Sequence, residues 1–252
     1  MGKSTVAANL AMALARRGRR VLLADCDFEM RCLDLVLGVE NEIIYDIFDL
    51  AKGRIPLERA LLTDARSPNL HFLAAPFQHG GEITADEFRK IITEAADSDA
   101  YDVILLDTPG QLNIPAVLDS RVADSAIIVA SHQPSSIRAA GQTGEFLARQ
   151  RISWQRLLIN SFDFDGALGG SRPGINEIID RSFIQLCGIV PYERALMIAA
   201  ETGELACQLK NSMAAAAFDN IAARLCGQYV PLFHGFHGMK VRGQIKRLLA
   251  KM

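Results

Sequence analysis

Three things are scarce in this sequence, and each absence excludes a class of protein. The five cysteines are widely spaced without a C-x-x-C pair, which argues against a disulfide framework or a zinc site. No apolar run approaches the ~20 residues that span a bilayer, and residues 1–20 carry arginines after their apolar part, the reverse of a secretory signal. Lys and Arg total 27 against 29 Asp and Glu, so no overall charge attracts nucleic acid. We therefore expect a cytoplasmic protein with its cysteines buried as small core residues.

What the sequence does contain is a regular alternation of short apolar runs with amphipathic stretches. At 252 residues and 50% hydrophobic content, the chain is long enough for one substantial core. Apart from His71 the runs are apolar on both faces rather than alternating, as the buried strands of a parallel sheet are. They cover residues 21–24, 70–73, 103–106, 126–129, 157–159 and 187–190. With amphipathic stretches at 84–96, 135–150 and 212–226, the pattern predicts an α/β fold, a doubly wound and mostly parallel sheet with helices on both faces.

The regular pattern breaks near the end of the chain, where residues 231–238 are rich in Gly, His and Phe. We place a linker there, between a folded domain of residues 1–230 and a basic segment of residues 239–252. Five apolar residues of that segment share one helical face: Val241, Ile245, Leu248, Leu249 and Met252. With lysines and arginines beside them, they favour a helix that lies on an anionic membrane. A terminal helix docked on the core would show the same pattern.

A candidate phosphate-binding loop opens the sequence. Gly2, Lys3, Ser4 and Thr5 run directly into a helical pattern that ends at Gly18. A small residue lets backbone N–H groups surround a phosphate, a lysine neutralises its oxygens, and a hydroxyl binds Mg²⁺. Alone the four residues are a weak signal, because the same tetrapeptide can simply cap a helix.

Carboxylates follow two of the predicted strands, at the end where ligands bind in open α/β sheets. Asp25 and Asp27 come at the end of one strand, and Asp107 comes at the end of another. Carboxylates in such places can reach a metal ion or orient an attacking water. Residues 108–110 then form a candidate switch loop, whose glycine can move near a terminal phosphate. Three such elements in this order indicate a P-loop nucleotide-binding fold with a Walker B strand.

Taken together, these elements resemble the MinD/ParA family of deviant Walker A ATPases, and within it the MinD branch, over nearly the whole chain. The segment 25–34 is similar to that family's first switch, and the segment 107–110 is similar to its second. Further matches lie at 133–138 and 199–203. The resemblance implies first-switch residues Asp27, Arg31 and Asp34, second-switch residues Asp107, Thr108, Pro109 and Gly110, and Asn160 and Pro191 around the base.

What the resemblance implies is ATP hydrolysis by a homodimer that sandwiches the nucleotide. The implied catalytic residues are Lys3 and Asp27, the implied ATP-binding residues are Gly2, Lys3, Ser4, Thr5, Asn160 and Pro191, and the implied Mg²⁺ ligands are Ser4, Asp25 and Asp107. It also implies peripheral attachment to the inner face of the cell membrane, division-site placement or related positioning, and an activator or inhibitor protein. Two alternatives stay open: a ParA-like ATPase that partitions DNA, which needs a basic surface stripe, and a scaffold that binds nucleotide without hydrolysing it.

The sequence departs from that family's pattern at three places. The family's signature lysine and two glycines would precede Met1, so we expect the natural reading frame to encode an apolar strand and Lys-Gly-Gly upstream. Glu29 and Met30 replace the family's usual Gly-Leu, and we expect them to alter how the first switch packs. Residues 139–141 (Ala-Ala-Gly) replace a stretch that is often acidic in the family and serves partner binding.

Overall fold

The computed structural model describes residues 2–77, 82–110 and 121–236. The chain forms two compact units. The N-terminal unit comprises Lys3–Val122 and Ile198–Leu205, and the C-terminal unit comprises Met1–Gly2, Ala123–Met197 and Ala206–Met252. The sequence suggested one unit up to residue 230, whereas the contacts divide that stretch. A domain boundary at residue 230 stays a prediction.

The N-terminal unit is a four-stranded sheet with helices. Its elements are α1 (Lys3–Arg16), β1 (Val21–Asp25), α2 (Leu33–Leu37), α3 (Ile47–Ala51), α4 (Leu57–Ala60), β2 (Leu61–Thr63), β3 (Leu70–Leu73), α5 (Ala85–Asp97) and β4 (Val103–Asp107). The strand order is β2-β3-β1-β4. β1 pairs in parallel with β3 and with β4, and β2 pairs antiparallel with β3. β1 is buried along its whole length, as its apolar sequence requires.

Helix α5 illustrates how the local sequence fixes an element of this unit. Thr84 and Glu87 form a capping box that satisfies backbone N–H groups at the start of the helix. Phe88, Ile91 and Ile92 lie on one face and are buried in the core beneath it. Burying each of these side chains contributes about 1.5–3 kcal/mol, so the amphipathic face holds the helix on the sheet.

A close backbone contact joins the end of α2 to segment 198–205 within the N-terminal unit. Gly38 and Gly203 both have positive φ angles, 69° and 73°. A Cβ atom on Gly203 would lie 2.4 Å from the Cα of Gly38. The two backbone segments can approach this closely only because neither residue has a side chain. The guanidinium of Arg66 donates to the carbonyls of Leu37 (2.9 Å) and Gly203 (3.1 Å) and pairs with Asp64. These bonds fix segment 198–205 to the unit that contains α2.

The C-terminal unit is a three-stranded sheet in the order β5-β6-β7, parallel throughout. Its elements are β5 (Ser125–Ala130), α6 (Pro134–Arg149), β6 (Trp154–Phe162), α7 (Phe164–Leu168), α8 (Ile175–Ser182), β7 (Leu186–Pro191), a 3₁₀ turn (Ala206–Gln208) and α10 (Met213–Leu225). Helix α9 (Arg194–Glu201) spans the point where the chain passes from one unit to the other. The side chain of Asp163 caps α7 by accepting a hydrogen bond from the N–H of Gly166.

The structure confirms the α/β class, all six predicted strands and the three predicted amphipathic helices. In the described residues the strands form two mostly parallel sheets, with β4 at the edge of one and β5 at the edge of the other. The short strand β2, which the sequence did not predict, is antiparallel. Apolar runs resemble one another, so the sequence does not specify which strands are neighbours. Among the described residues no helix is both long and apolar enough to cross a bilayer.

The described part of the predicted linker, residues 231–236, packs against helices of the C-terminal unit, to which it belongs. Phe233 and Phe236 make edge-to-face contacts with each other and with Phe164, and we call these three residues the aromatic anchor. Arg224 of α10 donates to the carbonyls of Val230 (2.9 Å) and Pro231 (2.8 Å). Aromatic burial and backbone hydrogen bonds therefore hold residues 231–236 in place, and the linker over residues 231–238 stays a prediction.

The cysteines also depart in part from expectation. All five are free thiols. Cys26 and Cys187 are buried, as predicted for small core residues. Cys32, Cys207 and Cys226 are only partly buried: Cys32 and Cys226 flank helices α2 and α10, and Cys207 lies in the 3₁₀ turn.

Candidate functional site

The candidate phosphate loop lies at the start of α1. Gly2 has a φ of 72°, a conformation that favours glycine, and the helix begins at Lys3. Lys3, Ser4 and Thr5 occupy its first turn, which carries no acidic side chain. The unpaired N–H groups of a first helical turn and the helix dipole both attract anions. The local geometry therefore suits a phosphate group.

Two buried carboxylates lie at the carboxyl ends of the neighbouring strands β1 and β4. Asp25 of β1 and Asp107 of β4 are register partners, and the side chain of Ser4 is hydrogen bonded to Asp107. Asp25 and Asp107 are 1% and 4% exposed. The carboxylate of Asp25 accepts hydrogen bonds from the backbone N–H groups of Asp27 (2.9 Å) and Leu33 (3.2 Å). The N–H of Cys26 donates to the carbonyl of Asp107 (2.8 Å), which continues the pairing past the strand ends.

Burial makes both carboxylates harder to ionise than an exposed aspartate. It raises the pKa of Asp25 to about 7, with further contributions from the charges of Asp107 and Asp27, although two backbone hydrogen bonds act in the opposite direction. Burial likewise raises the pKa of Asp107 to about 6, while the hydrogen bond from Ser4 and the charge of Lys3 favour ionisation. A cation placed between these oxygens would remove the penalty for both charges.

The donor set at this position fits Mg²⁺. Ser4 supplies a hydroxyl and Asp25 and Asp107 supply carboxylate oxygens, which are hard ligands of the kind that Mg²⁺ prefers. Within the described ranges no group of three or more His, Cys, Asp or Glu side chains is arranged to hold a metal ion. That excludes a metal cage built from such side chains there, but Mg²⁺ usually takes one or two carboxylates together with phosphate oxygens and water.

Asp27 lies in a turn that connects β1 to α2. Its side chain accepts a hydrogen bond from the N–H of Met30 (3.0 Å), and its carbonyl accepts one from the N–H of Arg31 (3.0 Å). Arg31 has a φ of 41°, which is unfavourable for a residue with a side chain by roughly 1–3 kcal/mol. The Nε of Arg31 donates to the buried carboxylate of Asp34 (2.8 Å), which compensates for part of this cost. The side chains of Glu29 and Met30 are exposed, so the turn is held by the backbone hydrogen bonds to Asp27 and by the Arg31–Asp34 ion pair.

Phe77, which the sequence did not single out, contacts this turn from another loop. The guanidinium carbon of Arg31 lies 3.4 Å from the centroid of the Phe77 ring. The backbone N–H of Phe77 donates to the carboxylate of Asp46 (2.8 Å), the residue that caps α3. Arginine over an aromatic face is a favourable arrangement. No local sequence signal predicts it, because the two residues come from separate loops.

The candidate second switch begins directly after β4. Thr108 and Pro109 are partly buried and Gly110 is exposed. A Cβ atom on Gly110 would lie 3.5 Å from the Nζ of Lys3, so this glycine approaches the lysine of the candidate phosphate loop. The structure therefore brings together Lys3, Ser4, Asp25, Asp107 and Gly110.

Residues 1–206 match the profile of the CobQ/CobB/MinD/ParA nucleotide binding domain. The chain belongs to this family. The CobQ/CobB/MinD/ParA family also includes the MinD/ParA proteins that the sequence resembled, so that resemblance is confirmed. The septum site-determining protein MinD of Synechocystis sp. is 32% identical over an alignment of 253 positions, which covers 99% of this chain and 94% of that protein. MinD of Bacillus subtilis is 32% identical over 92% of this chain and 87% of its own length.

Solved structures of the family agree with these relatives. In the MinC:MinD cell division protein complex of Aquifex aeolicus, the matching chain is 33% identical with a TM-score of 0.84, covering 92% of this chain and 93% of its own length. The septum site-determining protein MinD of Pyrococcus horikoshii, complexed with Mg-ADP, is 25% identical with a TM-score of 0.77, covering 89% and 90%.

The remaining predicted residues of this family's site lie in the C-terminal unit or outside the described residues. Asn160 is buried near the end of β6 and Pro191 is the last residue of β7. The pairing of β6 with β7 is irregular between Ile159 and Phe162, and Ser161 has a φ of 53°. Such irregularities reorient side chains and are frequent near functional sites. The five apolar residues predicted to contact a membrane, Val241 to Met252, lie outside the described residues.

Proposed function

We propose that this protein is a MinD-like ATPase that hydrolyses ATP with Mg²⁺, dimerises with ATP, attaches to the inner face of the membrane and helps to place the division site. The observation that carries the proposal is the juxtaposition of Lys3 and Ser4 with the buried pair Asp25 and Asp107. The septum site-determining relatives support the division-site role, and the MinC complex of one relative supports a protein partner in the same system.

Each residue has a specific role in this proposal. The first turn of α1 and the ammonium group of Lys3 hold the phosphates. Ser4, Asp25 and Asp107 would hold Mg²⁺, which when bound would neutralise phosphate oxygens. Asp27 orients the attacking water, since its backbone is fixed by Asp25 while its side chain lies in the turn beyond the strand. Asn160 and Pro191 contact the base.

The hydrolysis step is tested by Asp27→Asn. We expect the variant to bind ATP with an affinity close to that of the unchanged protein. It should hydrolyse ATP about 100-fold more slowly, because an amide does not accept a proton from water as a carboxylate does. Phosphate release and binding of a fluorescent ATP analogue give the two quantities. Asp86→Asn, which changes an exposed aspartate of α5, is the matched control and should hydrolyse ATP normally. Full turnover by Asp27→Asn would show that another residue orients the water.

The membrane role is tested by sedimentation with vesicles. The full chain should pellet with anionic vesicles in ATP more than in ADP, because two basic amphipathic segments per dimer act together. Ile245→Glu should abolish pelleting by placing a charge on the apolar face. Gln244→Glu, which adds the same charge at the neighbouring polar position, is the control and should pellet. Equal pelleting of both variants would refute the tail as the anchor, and binding to DNA instead of vesicles would favour the partition alternative.

A further inference from the structure

The first-switch turn rests on an aromatic side chain from a distant loop. Arg31 is the only residue of the segment 26–36 with a positive φ among the described residues, and its side chain is 15% exposed although it stands in a surface turn. Two groups hold this guanidinium, the carboxylate of Asp34 at 2.8 Å and the ring of Phe77 at 3.4 Å. A salt bridge between neighbouring residues of one segment moves with that segment. Phe77 is outside it.

The position of Phe77 is itself fixed. Its N–H donates to Asp46, whose other carboxylate oxygen accepts from the N–H groups of Phe48 and Asp49 at the start of α3. Phe77 follows the buried strand β3 after a short connection that includes Ala74 and Ala75, which are both buried. The ring is 50% exposed, so core packing does not require an aromatic residue at this position. Its contact with Arg31 is the specific interaction that the described structure gives it.

From this geometry we propose that Phe77 is a positioning residue for the first switch. It holds the Arg31 guanidinium and so fixes the turn that places Asp27. The path is short. The N–H of Arg31 donates to the carbonyl of Asp27, and the N–H of the preceding residue, Met30, donates to the Asp27 carboxylate. If Arg31 leaves its unfavourable conformation, both hydrogen bonds are lost and the carboxylate of Asp27 turns freely. The role in turnover rests on the proposed function, whereas the fixed turn does not.

Cys32, which follows Arg31 directly, reports on the turn without any nucleotide. Partial burial and the nearby charge of Asp27 raise the pKa of its thiol, so loosening of the turn should make the thiol more exposed and more reactive. The experiment measures the alkylation rate of Cys32 in the nucleotide-free full chain by iodoacetamide, with the modified peptide quantified by mass spectrometry. The rate at Cys226, in the other unit, is the internal reference.

Three variants separate the aromatic face from bulk. Phe77→Leu keeps an apolar side chain and removes the ring, so Cys32 should react about two- to fivefold faster, the factor expected when a partly exposed arginine–aromatic contact is lost. Phe77→Tyr keeps the ring and should react like the unchanged protein. Trp154→Leu removes another arginine–aromatic pair, in which Arg156 lies 4.5 Å from the Trp154 ring in the C-terminal unit, and should leave Cys32 unaffected. An unchanged rate for Phe77→Leu, or an equal increase for Phe77→Tyr, would overturn the inference.

Hydrolysis gives the second readout. Phe77→Leu should lower kcat by the same factor and leave the KM for ATP within about twofold, because the phosphates are held by other residues, and Phe77→Tyr should restore kcat. Faster alkylation with unchanged kcat would refute the connection to Asp27. Absence of hydrolysis in the unchanged protein would refute the proposed function, while the Cys32 rates would still decide whether Phe77 fixes the turn.

Discussion

Asp107→Asn should stabilise the nucleotide-free protein at neutral and alkaline pH. Burial raises the pKa of Asp107 from an ordinary value of 3.8 to about 6. Between these two pH values the carboxyl group is therefore protonated in the folded protein and ionised in the unfolded chain. Above pH 6 the folded state carries a buried charge that costs stability. A difference of about two pKa units corresponds to ~3 kcal/mol, which is the upper limit of the gain. The substituted amide can still accept the Ser4 hydroxyl, so little is lost in return.

The pH dependence of this gain identifies its cause. Because the folded pKa lies above the unfolded value, the penalty is absent below about pH 4, grows as the pH rises from about 4 to 6, and is constant above that range. We therefore expect the variant to match the unchanged protein at acidic pH and to exceed it by about 1–3 kcal/mol at pH 8, after relaxation around the charge is allowed for.

Urea denaturation followed by circular dichroism at several pH values, without Mg²⁺ or nucleotide, measures this difference. Asp86→Asn changes an exposed aspartate of α5 and is the control, with no expected gain at any pH. A variant that is less stable than the unchanged protein at pH 8, or a gain that is the same at all pH values, would refute the reasoning. A gain in stability on removing the charge would also be typical of a functional carboxylate, because functional sites often keep residues that lower the stability of the folded protein.

Two further predictions concern packing. Gly203→Ala should destabilise the protein by about 2–4 kcal/mol in urea, because the new Cβ atom would meet Gly38; Gly53→Ala, also at positive φ but with open space around it, should cost only about 1 kcal/mol. Equal losses would show that the close approach is unimportant. Phe236→Ala should cost about 3–5 kcal/mol because it removes a buried ring of the aromatic anchor, whereas Tyr229→Ala at a fully exposed ring should be neutral. A neutral Phe236→Ala would show that the aromatic anchor does not hold residues 231–236.

Local patterns account for what the sequence predicted well. The runs that became β1, β3 and β4 are apolar apart from His71, and continuous apolar runs of this length favour strands of a covered parallel sheet. The residues Lys3 and Ser4 were recognisable because phosphate binding needs a small residue, a lysine and a hydroxyl in consecutive positions. Asp25 and Asp107 were recognisable because parallel strands deliver their carboxyl ends to one edge.

The tertiary structure decided the features that join distant segments. The register that pairs Asp25 with Asp107, the contact of Arg31 with Phe77 and the approach of Gly38 to Gly203 each depend on where whole elements pack. Helix periodicity, strand pattern and caps depend on residues a few positions apart, so the sequence by itself determined the elements and the chemistry at their ends. Contacts between separate segments depend on the free energy of the entire packed core, so only the fold determined which of those ends meet.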